Sequence, residues 1–353
     1  MVTTVSKPTI VSHAAERLSA VDVNSYNCEL KDDEGFIGDR ASKGAFRDFI
    51  ESWRKPLKKL GKDPFGEDDT SDLTKKELDQ ILRDGDPEAA AIIHAAIEEF
   101  AQELSLVVRR YMKLKYWKDV ERIAIGGGFS GSRTGELAMG RASLILKAEK
   151  IDVDLVPVHN KPDEAGLIGS LQLAPRWMFK GHDAILAVDI GGTNIRAGIV
   201  ELNFAKAEDL SKARVVHMEL WRHAEEEKLK RDAAIERLLK MLRGLRKEAV
   251  KEGLALAPFV GIGCPGVIEP DGSIDRGAQN LPGNWESERF NLPAILHEKL
   301  EPIEGEPISV VMHNDAVVQG LSEVPYMKDI DNWGILTIGT GLGNASYTNR
   351  KDD

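Results

Sequence analysis

Asp189, Gly191, Gly192, Thr193 and Asn194 stand in one short stretch, residues 187–200 (AVDIGGTNIRAGIV), with apolar residues on either side. Two glycines leave no Cβ in the way, so backbone N–H groups can approach a polyphosphate closely. Thr193 adds a hydroxyl, and Asp189 stands where it can hold Mg²⁺ through water. The alternative is that Gly-Gly-Thr is simply a hairpin turn. Three further stretches bear on the choice. Residues 334–348 (GILTIGTGLGNASYT) repeat the strand, glycine turn and strand, with Gly339, Thr340 and Gly341 at the tip. Residues 308–323 (ISVVMHNDAVVQGLSE) deliver His313, Asn314 and Asp315 at the end of an apolar strand, and strand ends in α/β sheets are where ligands bind. Residues 122–138 (RIAIGGGFSGSRTGELA) run from a strand through Gly126, Gly127 and Gly128 into a helix, a bare surface suited to a flat purine ring.

These strand ends need a scaffold, and the rest of the chain supplies it. Asp86 as cap and Pro87 in the first turn start a helix whose apolar stripe is Ile93, Ile97, Phe100, Leu104, Val107 and Tyr111. It is expected to pack beneath the strand at 122–125. A second amphipathic helix, about 228–252, aligns Ile235, Leu238, Leu239, Leu242, Leu245 and Ala249 under a Lys/Arg-rich face read as solvated. Residues 1–45 are mixed and polar, and 55–75 are charged with Pro and Gly, an exposed loop or insertion.

Composition narrows the class. A chain of 353 residues exceeds one ordinary core, so two lobes are expected. With 58 acidic and 47 basic residues the formal charge is −11, which argues against nucleic acid or anionic membrane as a partner. Cys28 and Cys264 are the two cysteines, too few for a disulfide framework or a CxxC metal site, and a reducing cytoplasm is the expected compartment. No apolar run approaches a membrane span, and no signal-peptide core stands at the start.

Taken together, the four glycine and acid stretches resemble the ROK family of sugar kinases and sugar-responsive regulators, which have the actin/hexokinase/Hsp70 ATPase fold. Residues 258–286 add to the resemblance, with Pro265-Gly266 like the family's glycine-proline-glycine turn and Asn280-Leu281-Pro282 like its sugar-side stretch. The matched segments span roughly 120–350. The resemblance implies an α/β, two-lobed, ribonuclease H-like fold and transfer of a phosphoryl group from ATP, with Mg²⁺, to a hydroxyl of a hexose or amino sugar. Asp315 would be the general base, Asn314, Asn280 and Gly266 would meet the sugar, and the three glycine turns would grip the nucleotide. Read from the residues alone, Asp315 is more often a helix N-cap than a base, and the resemblance reverses that preference.

The order of the motifs departs from the family. The triple glycine and DEAGLIGSLQLA (163–174) precede Asp189, where ordinary members place them last, so the resemblance implies a circular permutation. It divides the chain into a larger lobe at 1–183, a smaller lobe at 184–310, and a return to the larger lobe at 311–353. The family's zinc-binding Cys-x-Cys-Gly-x-x-Gly-Cys run has no counterpart, so no zinc is expected. AAERLSAV (14–21) resembles a degenerate remnant of the neighbouring Glu and His stretch, which would point Glu16 at the sugar and put Ser19 where the zinc histidine stood. Asn344 replaces a glycine common after the second hairpin. Side assignments are even: Arg133 and Arg196 to phosphate or to surface pairs, Trp285 to the sugar pocket or to the core. His313 reads as structural, and Asp163 and Glu164 as helix-terminal acids. The expected partners are a sugar and a nucleotide, with room for a homodimer. A sugar or nucleotide sensor of the same fold, without turnover, is the alternative.

Overall fold

Val- and Ile-rich runs punctuated by glycine turns form the strands of two five-stranded sheets in the computed structural model, which describes residues 12–33, 35–339 and 341–351. The chain begins with β1 (Val21–Tyr26), the ribbon of β2 (Lys31–Asp32) and β3 (Gly35–Phe36), α1 (Lys43–Lys59), α2 (Lys75–Asp84), α3 (Pro87–Tyr111), β4 (Arg122–Gly126), α4 (Arg133–Ala148), β5 (Asp154–Pro157) and α5 (Pro162–Gly169). It continues with β6 (Ala184–Ile190), β7 (Ile195–Glu201), β8 (Arg214–Trp221), α6 (Arg231–Lys251), β9 (Leu256–Cys264), and a second ribbon of β10 (Val267–Ile268) and β11 (Ile274–Arg276). The last elements are α7 (Leu292–Lys299), β12 (Ser309–Asn314), α8 (Asp315–Leu321), β13 (Asn332–Ile338) and β14 (Leu342–Asn349).

Contacts divide the chain into two units, one of residues up to 23 with 166–325, the other of 24–165 with 326 onward. In the first, the sheet order is β12-β9-β6-β7-β8. The β6–β7 and β7–β8 pairs are antiparallel, while β9 lies parallel to both β6 and β12. In the second, read from the same side of the pattern, the order is β5-β4-β13-β14-β1. Here β13 and β14 are antiparallel and β4 is parallel to both β13 and β5. Hydrogen bonds from Asn24 to Thr348 and from Asn27 N–H to the Asn344 carbonyl run β1 antiparallel to β14. Both sheets therefore consist of a hairpin, a third antiparallel strand, and two parallel strands reached through helices. They differ in chain order: the hairpin β6–β7 opens its pattern, whereas β13–β14 comes after every other strand of its sheet.

The expected divisions at 183/184 and 310/311 need correction. β12 pairs along its whole length with β9, from Ser309↔Phe259 to Asn314↔Cys264, which keeps Asp315 with the first hairpin rather than the second.

Both anticipated helices form on the expected stripes. Asp86 accepts from the N–H groups of Glu88 and Ala89, and Ile93, Phe100, Leu104 and Tyr111 share a core with Ile123 and Ile125 of β4. α6 buries Ile235, Leu238, Leu239, Leu242, Leu245 and Ala249 among β6, β7 and β9. Each such side chain contributes roughly 1.5–3 kcal/mol over its exposed state. The cationic face of α6 is less solvated than expected: Arg237 pairs with Glu219, Arg243 with Glu301, and Arg246 donates to the carbonyls of Glu301 and Pro302.

Residues 55–75 also depart from a plain exposed loop. α1 continues through Pro56 to Lys59, because proline in a last turn forfeits one hydrogen bond with thirteen helical residues already formed before it. The loop beyond folds around Arg54, which is fully buried. Its guanidinium pairs with Asp63 at 2.9 Å, donates to Thr70 Oγ1 and the Asp68 carbonyl at 2.7 Å each, and lies over the Phe65 ring. Among the described residues no helix is long and apolar enough to cross a membrane.

Candidate active site

In the first unit the β6–β7 turn is closed by Gly191 N–H donating to the Asn194 carbonyl at 2.8 Å, with Asn194 Nδ2 on Thr193 Oγ1 at 3.1 Å. Neither Gly191 nor Gly192 has a positive φ. A Cβ on Gly191 would meet nothing nearer than the Asn194 carbonyl at 3.4 Å, and one on Gly192 nothing nearer than Asn280 Cβ at 3.3 Å. The backbone here does not itself demand glycine, so the bareness of this turn is available to a ligand. Asn280 lies against the same turn and is exposed. Behind the turn, His223 is buried and its Nε2 is 2.9 Å from the Gly191 carbonyl, while Ala224 N–H donates to the Thr193 carbonyl.

Two carboxylates converge beside this turn. Asp189, next to last in β6, lays its side chain on the bare backbone of Gly166, where a Cβ would stand 2.6 Å from the carboxyl carbon. Gly263 of β9 separates the two acids: a Cβ there would lie 3.6 Å from Asp189 Oδ1 and 3.4 Å from Asp315 Cα. Arg196, opposite Asp189 in the hairpin register, pairs with it at 3.5 Å. Asp315 keeps a partly exposed edge, yet burial and the Asp189 charge push its carboxyl up to about 7. Cys264, wholly buried, has its thiol raised by burial and by both acids.

The cap question resolves onto the neighbouring residue. Asn314 Oδ1 accepts from the N–H groups of Ala316 and Val317, and its Nδ2 donates to the Gly266 carbonyl at 3.0 Å. Asn314 is 2% exposed, so its amide ties β12, α8 and the turn after β9 together. Asp315 is thereby released from capping and presents its carboxyl from the first turn of α8. Gly266 is glycine for the fold, with φ at +104° and the Arg276 carbonyl 2.5 Å from where a Cβ would be. His313 is buried, lowered to about 4 by that burial, and accepts from Asn314 N–H at Nδ1. Trp285 is core, 1% exposed with its indole N–H on the Pro282 carbonyl. Glu16 is exposed, its carbonyl accepting from Val23 N–H in a segment anchored through Ala14 N–H to the Met312 carbonyl, and Ser19 is also exposed.

In the second unit the strand position matching Asp189 is Thr337, and β5 leads to Val158 and His159 where β12 leads to Asp315. Gly127 has φ at +83° and stands where a Cβ would lie 2.2 Å from the Ile338 carbonyl, so the fold requires it. Gly126 ends β4 in the register pair with Thr337, and Gly128 meets only the Lys75 ammonium, at 3.5 Å. Among the described residues, Gly339 and Gly341 have no close neighbour for a Cβ and no positive φ. Thr340 lies outside the described residues. The N-terminus of α4 is already supplied with an anion, because Asp79 accepts from Arg133 N–H, Thr134 N–H and Thr134 Oγ1. The Arg133 side chain pairs with Glu136 at the surface. Lys161 pairs with Glu164, and Asp163 and Glu164 both lie in the first turn of α5. Asn344, buried, accepts from Cys28 N–H and donates to the Cys28 carbonyl, which is why an amide stands there: it fixes the chain just after β1.

Sequence reasoning missed His223 and Gly263. Neither sits in a motif, since the first reaches the turn through the β7–β8 register and the second is one glycine in an apolar strand. Among the described residues no group of three or more His, Cys, Asp or Glu side chains is placed to hold a metal. The two apposed acids are nonetheless hard oxygen donors whose mutual repulsion a divalent cation would relieve, and one or two carboxylates with water and phosphate oxygens make an ordinary Mg²⁺ site.

No protein-family model matches the chain, and no curated protein matches it. Among solved structures, a candidate N-acetylmannosamine kinase from Listeria monocytogenes is 22% identical, with 47% of each chain covered and a TM-score of 0.32. A candidate sugar kinase from Cytophaga hutchinsonii is 20% identical over 47% of this chain and 48% of that one, with a TM-score of 0.34. An exopolyphosphatase from the same organism is 15% identical over 50% and 51%, at 0.22. The chain spans about half the length of each, and likeness at these scores carries no argument about fold or function.

Proposed function

We propose that this protein is an ATP-dependent kinase of a sugar hydroxyl, with Asp315 as the general base. The observation that supports it best is Asp315 itself, freed from capping by Asn314 and held near neutral pH by burial and Asp189. An alkoxide is a poor species at pH 7, so a carboxylate that both ionises near 7 and touches the acceptor hydroxyl can take its proton as the bond to phosphorus forms. The bare β6–β7 turn would receive phosphate oxygens on backbone N–H groups, with Thr193 and Asn194 beside them. Asp189 would hold Mg²⁺, whose contribution is to neutralise phosphate charge. Gly126–Gly128 and the β13–β14 turn would take the nucleotide's base and remaining phosphates, while Asn280 and Glu16 would meet the sugar.

The chain order of the two sheets supports reading the protein as a circularly permuted member of the ROK type. Joining β14 to β1 would give the second sheet the same strand sequence as the first. The test is ADP release from Mg·ATP against hexoses, N-acetylhexosamines and polyols, comparing wild type with Asp315→Asn. Stimulation by one sugar, lost in the variant, supports the reading. If no sugar stimulates release while ATP or a sugar still raises the melting temperature, the protein is a sensor and the kinase reading falls.

A further inference from the structure

Arg196 of β7 stands in register opposite Asp189 of β6, with Leu220 of β8 on its other side. Its guanidinium is 3.5 Å from the Asp189 carboxylate, and the two side chains are only 16% and 12% exposed. A charge-assisted pair ordinarily closes to about 2.7–2.9 Å. Other arginines of this chain do close on their acids. Arg54 meets Asp63 at 2.9 Å in the interior of the second unit, and Arg237 meets Glu219 at 3.0 Å on the surface of the first. The Arg196 pair is nearly as sheltered as the one and longer than either, so it is desolvated without the close contact that offsets desolvation.

A sheltered but loose pair suits a contact that is exchanged. The carboxylate that Arg196 neutralises is the one proposed above to hold Mg²⁺, beside a turn proposed to receive phosphate oxygens. While Arg196 stays on Asp189 the pair carries no net charge, and a bare divalent cation gains little by approaching it. A guanidinium fits phosphate oxygens as well as carboxylate oxygens, so a polyphosphate at the β6–β7 turn offers Arg196 a second anion and leaves Asp189 to the cation.

We infer that Arg196 is a resident counter-ion of Asp189 that makes cation binding conditional on the phosphate donor. The inference rests on the assignment of Asp189 to the cation and goes beyond it by fixing an order of binding. Arg196 is a positioning residue in this role, since it acts on the cation through Asp189. The probe is Mn²⁺ alone, whose paramagnetism reports binding through water-proton relaxation without any turnover. It is titrated into the full chain as wild type, Arg196→Gln, Arg196→Lys, Asp189→Asn and the Arg196→Gln/Asp189→Asn double variant, first without nucleotide and then with ADP.

Without nucleotide, Arg196→Gln is expected to bind Mn²⁺ about tenfold or more tightly than wild type, because the site then carries an uncompensated negative charge. Arg196→Lys should stay near wild type, the double variant should lose the gain, and ADP should narrow the difference between wild type and Arg196→Gln. Equal Mn²⁺ affinity of wild type and an Arg196→Gln variant with matching circular dichroism and melting temperature overturns the inference, and Asp189 keeps its assignment if Asp189→Asn still weakens binding. A gain that persists in the double variant puts the cation elsewhere and overturns the Asp189 assignment and the inference together. Wild type binding Mn²⁺ as tightly without ADP as with it overturns the inference even where Arg196→Gln fails to fold. A gain that depends on Asp189, in a protein whose ADP release no sugar stimulates, upholds the counter-ion role while the kinase reading falls.

Discussion

The two sheets repeat one strand pattern, yet their loop-bearing ends carry opposite chemistry. β6 runs into Asp189-Ile190-Gly191-Gly192-Thr193, where β13 runs into Thr337-Ile338-Gly339-Thr340-Gly341. β9 ends in Cys264-Pro265-Gly266 and β4 in Gly126-Gly127-Gly128, while β12 leads to Asp315 where β5 leads to Val158 and His159. The shared scaffold thus supplies bare turns twice and carboxylates once. Burial, with a second acid beside the same turn, raises one carboxyl to near neutrality, and the matching strand ends of the second sheet carry no such pair.

The difference can be broken most sharply at Asp315. Asp315→Asn is expected to reduce sugar-stimulated turnover by about 10²–10⁴, with the apparent affinity for nucleotide little changed, in steady-state assays of ADP release. A comparable loss from replacing Thr337, the position in β13 that matches Asp189, would erase the contrast.

The glycines separate next. Gly127→Ala forces a Cβ onto the Ile338 carbonyl at a left-handed φ and is expected to cost about 3 kcal/mol in denaturant unfolding. Gly191→Ala meets only ordinary contacts, so it should shift stability by less than about 1 kcal/mol while weakening nucleotide binding several-fold. Equal destabilisation by both would mean that the β6–β7 turn is bare for the fold alone.

Electrostatic tension at Asp315 gives the third effect. Its folded value near 7 lies above the unfolded 3.8, so the native state holds the proton more tightly. That contribution is full below about pH 4 and is lost as pH rises towards 7. At pH 8 the ionised carboxylate is a cost, and Asp315→Asn should stabilise the protein there by about 2 kcal/mol, a value reduced from the full shift because the side chain is partly exposed. Melting curves at pH 5 and pH 8 should show the gain growing with pH. The smallest effect is expected at His223→Ala, which removes a hydrogen bond from the Gly191 carbonyl: about 1 kcal/mol of stability, and a raised KM for the phosphate donor with kcat less affected.

Local pattern made much of this legible. The stripes of α3 and α6 follow from apolar spacing, and the glycine turns from short apolar runs that cannot continue through Gly-Gly or Gly-Thr-Gly. Asn314 and Asp315 show where local pattern stops. Both residues cap helices well, and only the register of β12 against β9, with Gly266 placed to receive the Asn314 amide, decides which one is spent on the fold. His223 lies 34 residues beyond Asp189 and is brought to the turn by strand pairing that no periodicity encodes. The charged loop after α1 hides its anchor for the same reason, since Arg54 reads as one more cation until Asp63 and Thr70 fold back over it.

The central claim is that Asp189 and burial together hold Asp315 near neutrality. A pH titration of ¹³C-labelled aspartate carboxyls by NMR, on wild type and Asp189→Asn, measures it directly. The account predicts one aspartate in wild type titrating near pH 7, absent from Asp315→Asn and moved to lower pH in Asp189→Asn. Titration of every aspartate below about pH 5, or a midpoint near 7 that ignores Asp189→Asn, would contradict it.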